Sequence, residues 1–337
     1  MERAAPGVSA PAPTVGGTHA PPARKFSAPV ALALIGSACT SSSAIVVRLA
    51  GQAAGTTGFY RCALAVPGLA LLAGIESRRL GGRASRDRLA AAGAGVFLGV
   101  DLVLWAHSIY DVGAGVATVL GNLQVIFVAA IAWVVMRERP QRDLLIALPV
   151  VAAGVVLVGG LAGGAAAGDR PLAGVSFGVA TSLSYALFII LLRRTAGNGR
   201  HVAGVLLDAT VGAALAALVL GAVLGEMKFS PPLGALGWLA VLALTSQTIG
   251  WLLITSALPR LPAVVSALLL LFQPACSLVL AAVVLSEVPG ALQVLGAVMV
   301  CCGVLLGART GRPARAPAVW LDQSHSLLGP GAVVAER

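Results

Sequence analysis

Long apolar runs and short polar connections alternate along the chain from residue 29 to residue 308. The run from Leu89 to Ile109 contains a single acidic residue, and the run from Pro262 to Ser286 contains no charged residue. Runs of about 20 apolar residues match a hydrocarbon layer of about 30 Å, because an α-helix rises about 1.5 Å per residue. Backbone groups in lipid must bond within their own segment, so these runs are predicted to be helices. The pattern therefore predicts an all-α integral membrane protein.

Charged and Gly/Pro-rich breaks divide the apolar runs into ten predicted transmembrane helices. Several of the connections are very short, so neighbouring helices are expected to be antiparallel. The predicted helices lie near residues 29–50, 54–75, 89–109, 112–136, 143–163, 171–192, 202–225, 234–257, 262–286 and 290–308.

The positions of the basic residues predict how these helices are oriented. If the N-terminus is cytoplasmic, the two tails and every second connection hold 19 of the 23 lysines and arginines. Cytoplasmic loops of membrane proteins carry this kind of excess. Both termini and residues 76–88 are therefore predicted to be cytoplasmic, and residues 164–170 are predicted to lie on the opposite face.

A repeat relates the two halves of the chain at an offset of 149 residues. Four polar or conformationally special pairs match in this register: Gln124 with Gln273, Glu138 with Glu287, Pro140 with Pro289, and Gly154 with Gly303. Five helices per half is an odd number, so the second half must cross the membrane in the opposite sense. This explains why arginines surround Glu138, on the predicted cytoplasmic face, but not Glu287. Inverted repeats of this kind are typical of carriers that expose a site alternately to each side.

Composition narrows the class of protein further. Hydrophobic residues make up 58% of the 337 residues and charged residues 11%, with a mean hydropathy of +0.93. Soluble domains carry about 25% charged residues. The formal net charge is +10, but the arginines cluster between apolar runs, so no nucleic-acid partner is expected. The five cysteines all lie in apolar runs without a metal-binding spacing, so neither a metal nor a cofactor is expected.

Several motifs in these runs resemble the drug/metabolite transporter superfamily, specifically its ten-helix carriers with two EamA repeats. The motifs are "FYRCALAVPGLALL", "GAGVATVLGNLQVIFVAAIAWVVMRERP" and its partner "PAVVSALLLLFQPACSLVLAAVVLSEVPG". The resemblance implies a first repeat at 29–163 and a second at 171–308. The Ala/Pro/Gly-rich composition of residues 1–28 predicts a disordered cytoplasmic tail there, and residues 309–337 are expected to form a similar one. The resemblance also implies secondary transport of a small metabolite, amino acid or drug-like solute across the cell membrane, of the bacterial inner-membrane type.

Two charged residues inside predicted helices are the first candidates for the transport pathway. Asp101 lies about 12 Å, and Arg61 about 10 Å, from the predicted outer ends of their helices. Ionisable side chains at such depth cost at least about 2.5 kcal/mol each on insertion scales, so each needs a reason. One interpretation is a structural ion pair between the two. The other is that Asp101 faces the cavity and exchanges a proton during transport.

Polar and aromatic residues inside the helices extend the candidate pathway. Asp101 and Trp105 share a helical face, and Gln247 and Trp251 show the same spacing in the second half. Gln124 and Gln273 lie beside small residues that let helices approach closely, so they are expected either to bond across a helix seam or to bind the solute. For the tryptophans, ordinary packing is the competing interpretation.

A further group is expected to serve folding or gating rather than binding. Glu138 with Pro140, and Glu287 with Pro289, mark matching membrane boundaries in the two halves. Asp208 lies near the predicted cytoplasmic end of its helix, where a partner such as Arg200 or His201 is within reach.

These patterns favour a secondary carrier over other membrane proteins. No G-x-x-x-x-G-K-[ST] motif occurs, so ATP drive within this chain is excluded. We expect export rather than import, with protons as a candidate coupling ion and no catalytic residues. An uncoupled facilitator or exchanger and a membrane-embedded enzyme acting on lipid-linked substrates are the alternatives. A channel would require a repeated ring of charges or filter motif, which the sequence lacks.

Overall fold

A computed structural model describes residues 27–112, 120–136, 142–158, 170–197, 199–284 and 290–309. Within those ranges every regular element is a helix, which agrees with the predicted all-α class. Both predicted disordered tails lie almost entirely outside the described residues.

The described part of the first half contains the following helices. They are α1 (Ala28–Ser41), α2 (Ser43–Ala50), α3 (Ala54–Ala63), α4 (Val66–Leu80), α5 (Ser85–Val112), α6 (Gln124–Met136) and α7 (Arg142–Val158).

The second half adds seven α-helices, a π-helix and a short 3-10 helix to the described chain. They are α8 (Pro171–Thr195), α9 (Val202–Val223), α10 (Leu233–Leu242), the π-helix Ala243–Gly250, α11 (Trp251–Ala257), the 3-10 helix Leu258–Arg260, α12 (Ala263–Leu270), α13 (Phe272–Val284) and α14 (Ala291–Arg309).

Six helical stretches of the described chain are long and apolar enough to cross a membrane. They are Ala28–Val47, Ala54–Leu80, Ser85–Ser108, Leu172–Thr195, Val202–Val223 and Leu233–Arg260. Leu120–Val135 and Val294–Gly303 form shorter apolar helices. These stretches coincide with eight of the predicted helices, while the count of ten and the orientation of the termini stay predictions.

The predicted helices near 112–136 and 262–286 are each interrupted. At Leu123 the backbone N–H donates to the Leu120 carbonyl at 3.0 Å, and at Leu271 the N–H donates to the Leu268 carbonyl at 3.1 Å. These three-residue turns tighten the chain between two helical pieces. They lie 148 residues apart, so the two halves repeat a backbone feature as well as a sequence motif.

A serine from the other half of the chain bonds to each interruption. Ser182 Oγ on α8 donates to the Leu120 carbonyl. Ser37 Oγ on α1 donates to the Leu270 carbonyl at 3.2 Å and lies 3.4 Å from the Leu269 carbonyl. Helix ends leave carbonyls without intrahelical partners, so these hydroxyls stabilise breaks that would otherwise be costly in lipid. The exchange ties the first helix of each half to the broken helix of the other.

Small residues bring some helices into backbone contact. A Cβ atom on Gly95 of α5 would overlap the carbonyl of Ala209 on α9, and a Cβ on Gly99 would lie 2.5 Å from the Ala213 carbonyl. Tight seams of small residues are how helices associate in lipid, where burial of apolar surface offers little drive. The seam between α5 and α9 therefore joins the two halves by direct backbone contact.

Large apolar side chains cover the outside of the bundle. Leu172, Leu233 and Val223 are 85%, 87% and 78% exposed. In water such a surface would favour aggregation, whereas lipid chains solvate it. The polar residues that remain inside the bundle therefore stand out as candidates for function.

Candidate solute site

Arg61 is a buried cation within the described bundle. It lies on α3, a helix rich in glycine and threonine that packs closely on α9, and its residue exposure is 7%. Its Nε donates a hydrogen bond to Gln247 Oε1 at 3.1 Å, and its Nη2 donates to Ser246 Oγ at 2.9 Å. The guanidinium is thus fixed by two neutral side chains of the π-helix.

The π-helix explains how neighbouring residues reach the same guanidinium. Its turn is wider than that of an α-helix, and such segments are frequent at functional sites. Ser246 also accepts a hydrogen bond from Ser43 Oγ at 2.7 Å, and Gln247 Nε2 donates to Thr210 Oγ1 at 3.1 Å. All four side chains are buried. The network joins α2 and α3 of the first half to α9 and the π-helix of the second half.

Asp101 is the buried anion nearest to this network. It lies on α5 with 8% exposure, and its main-chain carbonyl accepts a hydrogen bond from Thr181 Oγ1 at 3.3 Å. Asp101 and Arg61 interact electrostatically through space, and Tyr185 interacts with both. Among the side chains that the structure describes, the Asp101 carboxylate accepts no hydrogen bond and forms no direct ion pair with Arg61. The two groups therefore interact at longer range than a hydrogen-bonded ion pair, and both interpretations of Asp101 stay predictions.

Three aromatic rings lie beside the network. The Trp251 ring is perpendicular to Phe188 with centroids 4.9 Å apart, and to Tyr185 with centroids 6.1 Å apart. Edge-to-face geometry of this kind is favourable between aromatic rings. Trp251 is 2% exposed, whereas Trp105 is half-buried near Gly121, where a Cβ would lie 3.9 Å from its ring. The two tryptophans therefore occupy different surroundings, although each follows its polar partner by four residues in the sequence.

Gln124 and Gln273 follow the two helix interruptions. Gln273 is half-buried and accepts a hydrogen bond from Thr40 Oγ1 at 3.3 Å, and its Nε2 lies 3.5 Å from the Thr40 carbonyl. Gln124 is 4% exposed, and its Oε1 has no hydrogen-bond partner in the described part of the chain. Neither glutamine contacts Arg61 within the described structure. Gln273 thus bonds to α1, while Gln124 keeps an open acceptor within the described structure.

The partner of Asp208 differs from the one expected. Its Oδ2 lies 2.6 Å from Arg83 Nη1, and its Oδ1 lies 3.5 Å from Arg88 Nε. The arginines come from the start of α5 and the connection before it, not from residues 200–201. The prediction considered only basic residues adjacent in sequence, and the close packing of α5 on α9 supplies others. Asp208 thus joins α9 to the start of α5 through these contacts.

Four predicted gating residues cannot be placed. Glu138, Pro140, Glu287 and Pro289 lie outside the described residues.

Three carboxylates at the ends of helices were not predicted as site residues from the sequence. Glu76 Oε1 and Oε2 accept hydrogen bonds from the backbone N–H groups of Ala203 and Gly204 at 3.2 and 2.8 Å. Glu226 Oε2 accepts one from the Gly55 N–H at 3.1 Å. Asp111 lies 2.8 Å from Arg170 Nη2. An alignment of the second predicted helix with the seventh would have revealed the first two, because Glu76 and Glu226 stand 150 residues apart.

An open cleft of about 330 Å³ borders the Glu76 end of the bundle. Arg83, Arg88 and His201 line it together with Glu76 and Asp208. Glu76 and Asp208 already hold backbone N–H groups and arginines. The acidic and basic side chains that line the cleft therefore balance one another in charge across the interface between the halves.

Comparisons with known proteins place this geometry in a family. The family model described as "EamA-like transporter family" matches residues 27–160 and again 172–308. No curated protein sequence matches the chain. One solved structure, described only as "Crystal structure of protein", is similar with a TM-score of 0.68 and 18% sequence identity, over 84% of this chain and 99% of that chain. That likeness concerns the fold alone. The chain belongs to the EamA-like transporter family and contains two EamA repeats, as its sequence motifs predicted.

Proposed function

We propose that this multi-pass membrane transporter is a secondary carrier that exports a small metabolite, amino acid or drug-like solute by alternating access. The observation that carries the proposal is the buried network of Arg61, Ser246 and Gln247 beside the buried Asp101, whose carboxylate accepts no hydrogen bond from the described side chains. Charged residues inside a membrane bundle are costly and mark substrate or ion pathways. The inverted repeat supplies the two related packings that alternating access requires.

The arrangement suits a small polar solute with an apolar part. Two neutral side chains orient the guanidinium of Arg61, and each takes up only one of its five N–H groups. A carboxylate or other hydrogen-bond acceptor of the solute can bind the remaining N–H groups. The rings of Tyr185 and Trp251, which contact each other edge to face, offer an apolar wall next to this network. Polar groups that fix orientation within apolar walls are typical of small-molecule sites.

Asp101 is the candidate for coupling to protons. A buried carboxylate without a hydrogen bond is unfavourable when ionised, so it favours either a bound proton or a cationic group of the solute. Alternation between those two partners would link solute export to proton entry. An uncoupled facilitator of the same fold is the competing proposal, and in it Asp101 would bind the solute without exchanging a proton.

Inside-out proteoliposomes test both proposals. Uptake of a panel of amino acids, small metabolites and drug-like cations is measured with and without an imposed pH gradient. For a coupled exporter, the gradient should accelerate uptake of one class of solute at least several-fold in the wild type. Absence of uptake for every member of the panel in either vesicle orientation would contradict the transport proposal.

The Asp101→Asn variant should transport the same solute without acceleration by the gradient. Asp87→Asn is a matched control, because Asp87 is an exposed carboxylate on the same helix. Equal gradient-driven uptake by wild type and folded Asp101→Asn would refute the coupling role. Uptake that does not depend on the pH gradient in either the wild type or the variant would favour the uncoupled facilitator.

A further inference from the structure

The segment from α3 to α4 and the helix α9 pack side by side in opposite directions. Near one end, a Cβ on Gly55 would lie 2.5 Å from the Cα of Gly221. Near the other end, Glu76 bonds to the backbone at residues 203 and 204. The first segment belongs to the first repeat and α9 to the second. This pair of helices therefore forms a seam between the repeats from one end to the other.

Each helix of the pair begins without a capping side chain of its own. Ala53 precedes α3 and His201 precedes α9, and neither side chain caps its helix. The first N–H groups of a helix need acceptors and carry partial positive charge. In both cases a glutamate near the end of the opposite helix supplies the acceptor.

The first of these contacts, the Glu76 cap, lies at the end of the bundle with the arginine-rich connection. Glu76 binds two successive N–H groups of α9 with its two carboxylate oxygens. The Arg83–Asp208 ion pair, 2.6 Å long, lies beside it and joins the same two repeats. Both contacts border the open cleft, so water can reach them.

The second contact, the Glu226 cap, lies at the opposite end of the seam. Gly225, with a positive φ of 70°, turns the chain after α9 so that Glu226 faces the start of α3. The carboxylate accepts from the Gly55 N–H, and the Glu226 carbonyl accepts from Thr56 Oγ1 at 2.7 Å. His107 Nε2 lies 3.2 Å from Glu226 Oε1, although in a poor direction for a hydrogen bond. The two caps are thus equivalent contacts at opposite ends of the inverted repeat.

We propose that Glu76 and Glu226 are the paired gate residues of the carrier, each holding the seam closed at its own membrane face. The proposal rests on the proposed function, since alternating access requires the interface between the repeats to part at one face while it stays closed at the other. The small residues between the two ends form the contact about which the helices pivot. Opening at the Glu76 end exchanges its two N–H bonds for water, while the Glu226 cap stays formed. In the other open state the Glu226 cap is broken and the Glu76 cap stays formed.

Distances between spin labels test the proposal independently of transport. The labels are attached to Ser77→Cys with Arg200→Cys at the Glu76 end, and to Gln52→Cys with Phe229→Cys at the Glu226 end. The five native cysteines are replaced by alanine beforehand. Arg200, Ser77 and Phe229 are exposed and Gln52 is half-buried, so labels are accommodated at these positions.

In Glu76→Ala, the Ser77–Arg200 distribution should gain a longer population while the Gln52–Phe229 distribution stays as in the wild type. Glu226→Ala should show the reverse. Glu76→Gln and Glu226→Gln, which retain an acceptor oxygen, should give intermediate populations. Asp87→Ala, an exposed carboxylate near the Glu76 end, is the control and should change neither distribution.

Two outcomes would overturn the proposal. One is that each alanine variant shifts both distributions equally, and the other is that it shifts neither. If an alanine variant is not monodisperse, the corresponding glutamine variant is measured instead. The proposal then requires that this variant shift the distance distribution at one end only. A purely structural role would lower thermal stability without a change confined to one end. If each variant opens the seam at one end only but the protein transports no solute, the role of Glu76 and Glu226 in closing the seam is supported. The transport proposal is refuted by the same result.

Discussion

At the scale of single residues, the environment of Arg61 is the feature that most constrains function. The guanidinium donates from Nε and Nη2 to two different side chains, a geometry that a planar fork provides. A lysine ammonium is a point charge at the end of a flexible chain and cannot reproduce both directions. The contacts of Arg61 therefore require the planar geometry of a guanidinium and not only a positive charge.

Arg61→Lys should impair solute binding while it preserves the buried charge. Hydrogen bonds to charged groups contribute about 1.5–3 kcal/mol, so the loss of one corresponds to a rise of roughly tenfold or more in KM. The measurement is KM in proteoliposomes for the solute identified by the panel. Arg88→Lys is the control, because that side chain is 63% exposed. An unchanged KM with a lowered melting temperature would show that Arg61 is structural only.

At the scale of elements, the seam between α5 and α9 depends on the absence of side chains. Gly95 faces the Ala209 carbonyl so closely that no Cβ fits, whereas Gly93 on the same helix faces open space. The contrast separates a packing requirement from the general preference of helices for alanine over glycine.

Gly95→Ala should destabilise the protein by about 1–3 kcal/mol, the usual cost of forcing extra volume into a packed seam. Gly93→Ala should leave stability unchanged or raise it slightly. Thermal unfolding in detergent, followed by size-exclusion chromatography, measures both. Equal melting temperatures for the two variants would mean that the seam relaxes freely.

At the scale of the whole molecule, the proposed inverted repeat predicts which positions share a membrane face. Ser77 and Arg200 should react with an impermeant thiol reagent from one side, and Gln52 and Phe229 from the other, when each is replaced by cysteine. Labelling is compared between intact cells and inside-out vesicles. Ser77 lies on the predicted cytoplasmic face, so its cysteine variant should react in inside-out vesicles. Reaction of the Ser77 and Phe229 cysteine variants from the same side would contradict both the inverted arrangement and the alternating-access proposal.

The helices, the membrane and the family could be predicted from the sequence because each depends on local or repeated signals. A run of apolar residues must form a helix in lipid, since its backbone groups have no other partners. The duplicated Glu-x-Pro ending and the paired glutamines identified the EamA repeats without any knowledge of contacts. Asp101 and Arg61 stood out because charge inside an apolar run is costly wherever the run packs.

The partners of those residues depended on the tertiary structure. Arg61 bonds to residues 185 and 186 positions away, Asp208 to one 125 away, and Glu76 to others 127 and 128 away. Such pairings are determined by the rotation and depth of helices relative to one another, which local sequence does not encode. The π-helix, the two serine-bonded interruptions and the reciprocal glutamate caps arise in the same way. The sequence by itself determined that the chain crosses a membrane as two related halves, and only the packing between those halves decided which polar groups meet.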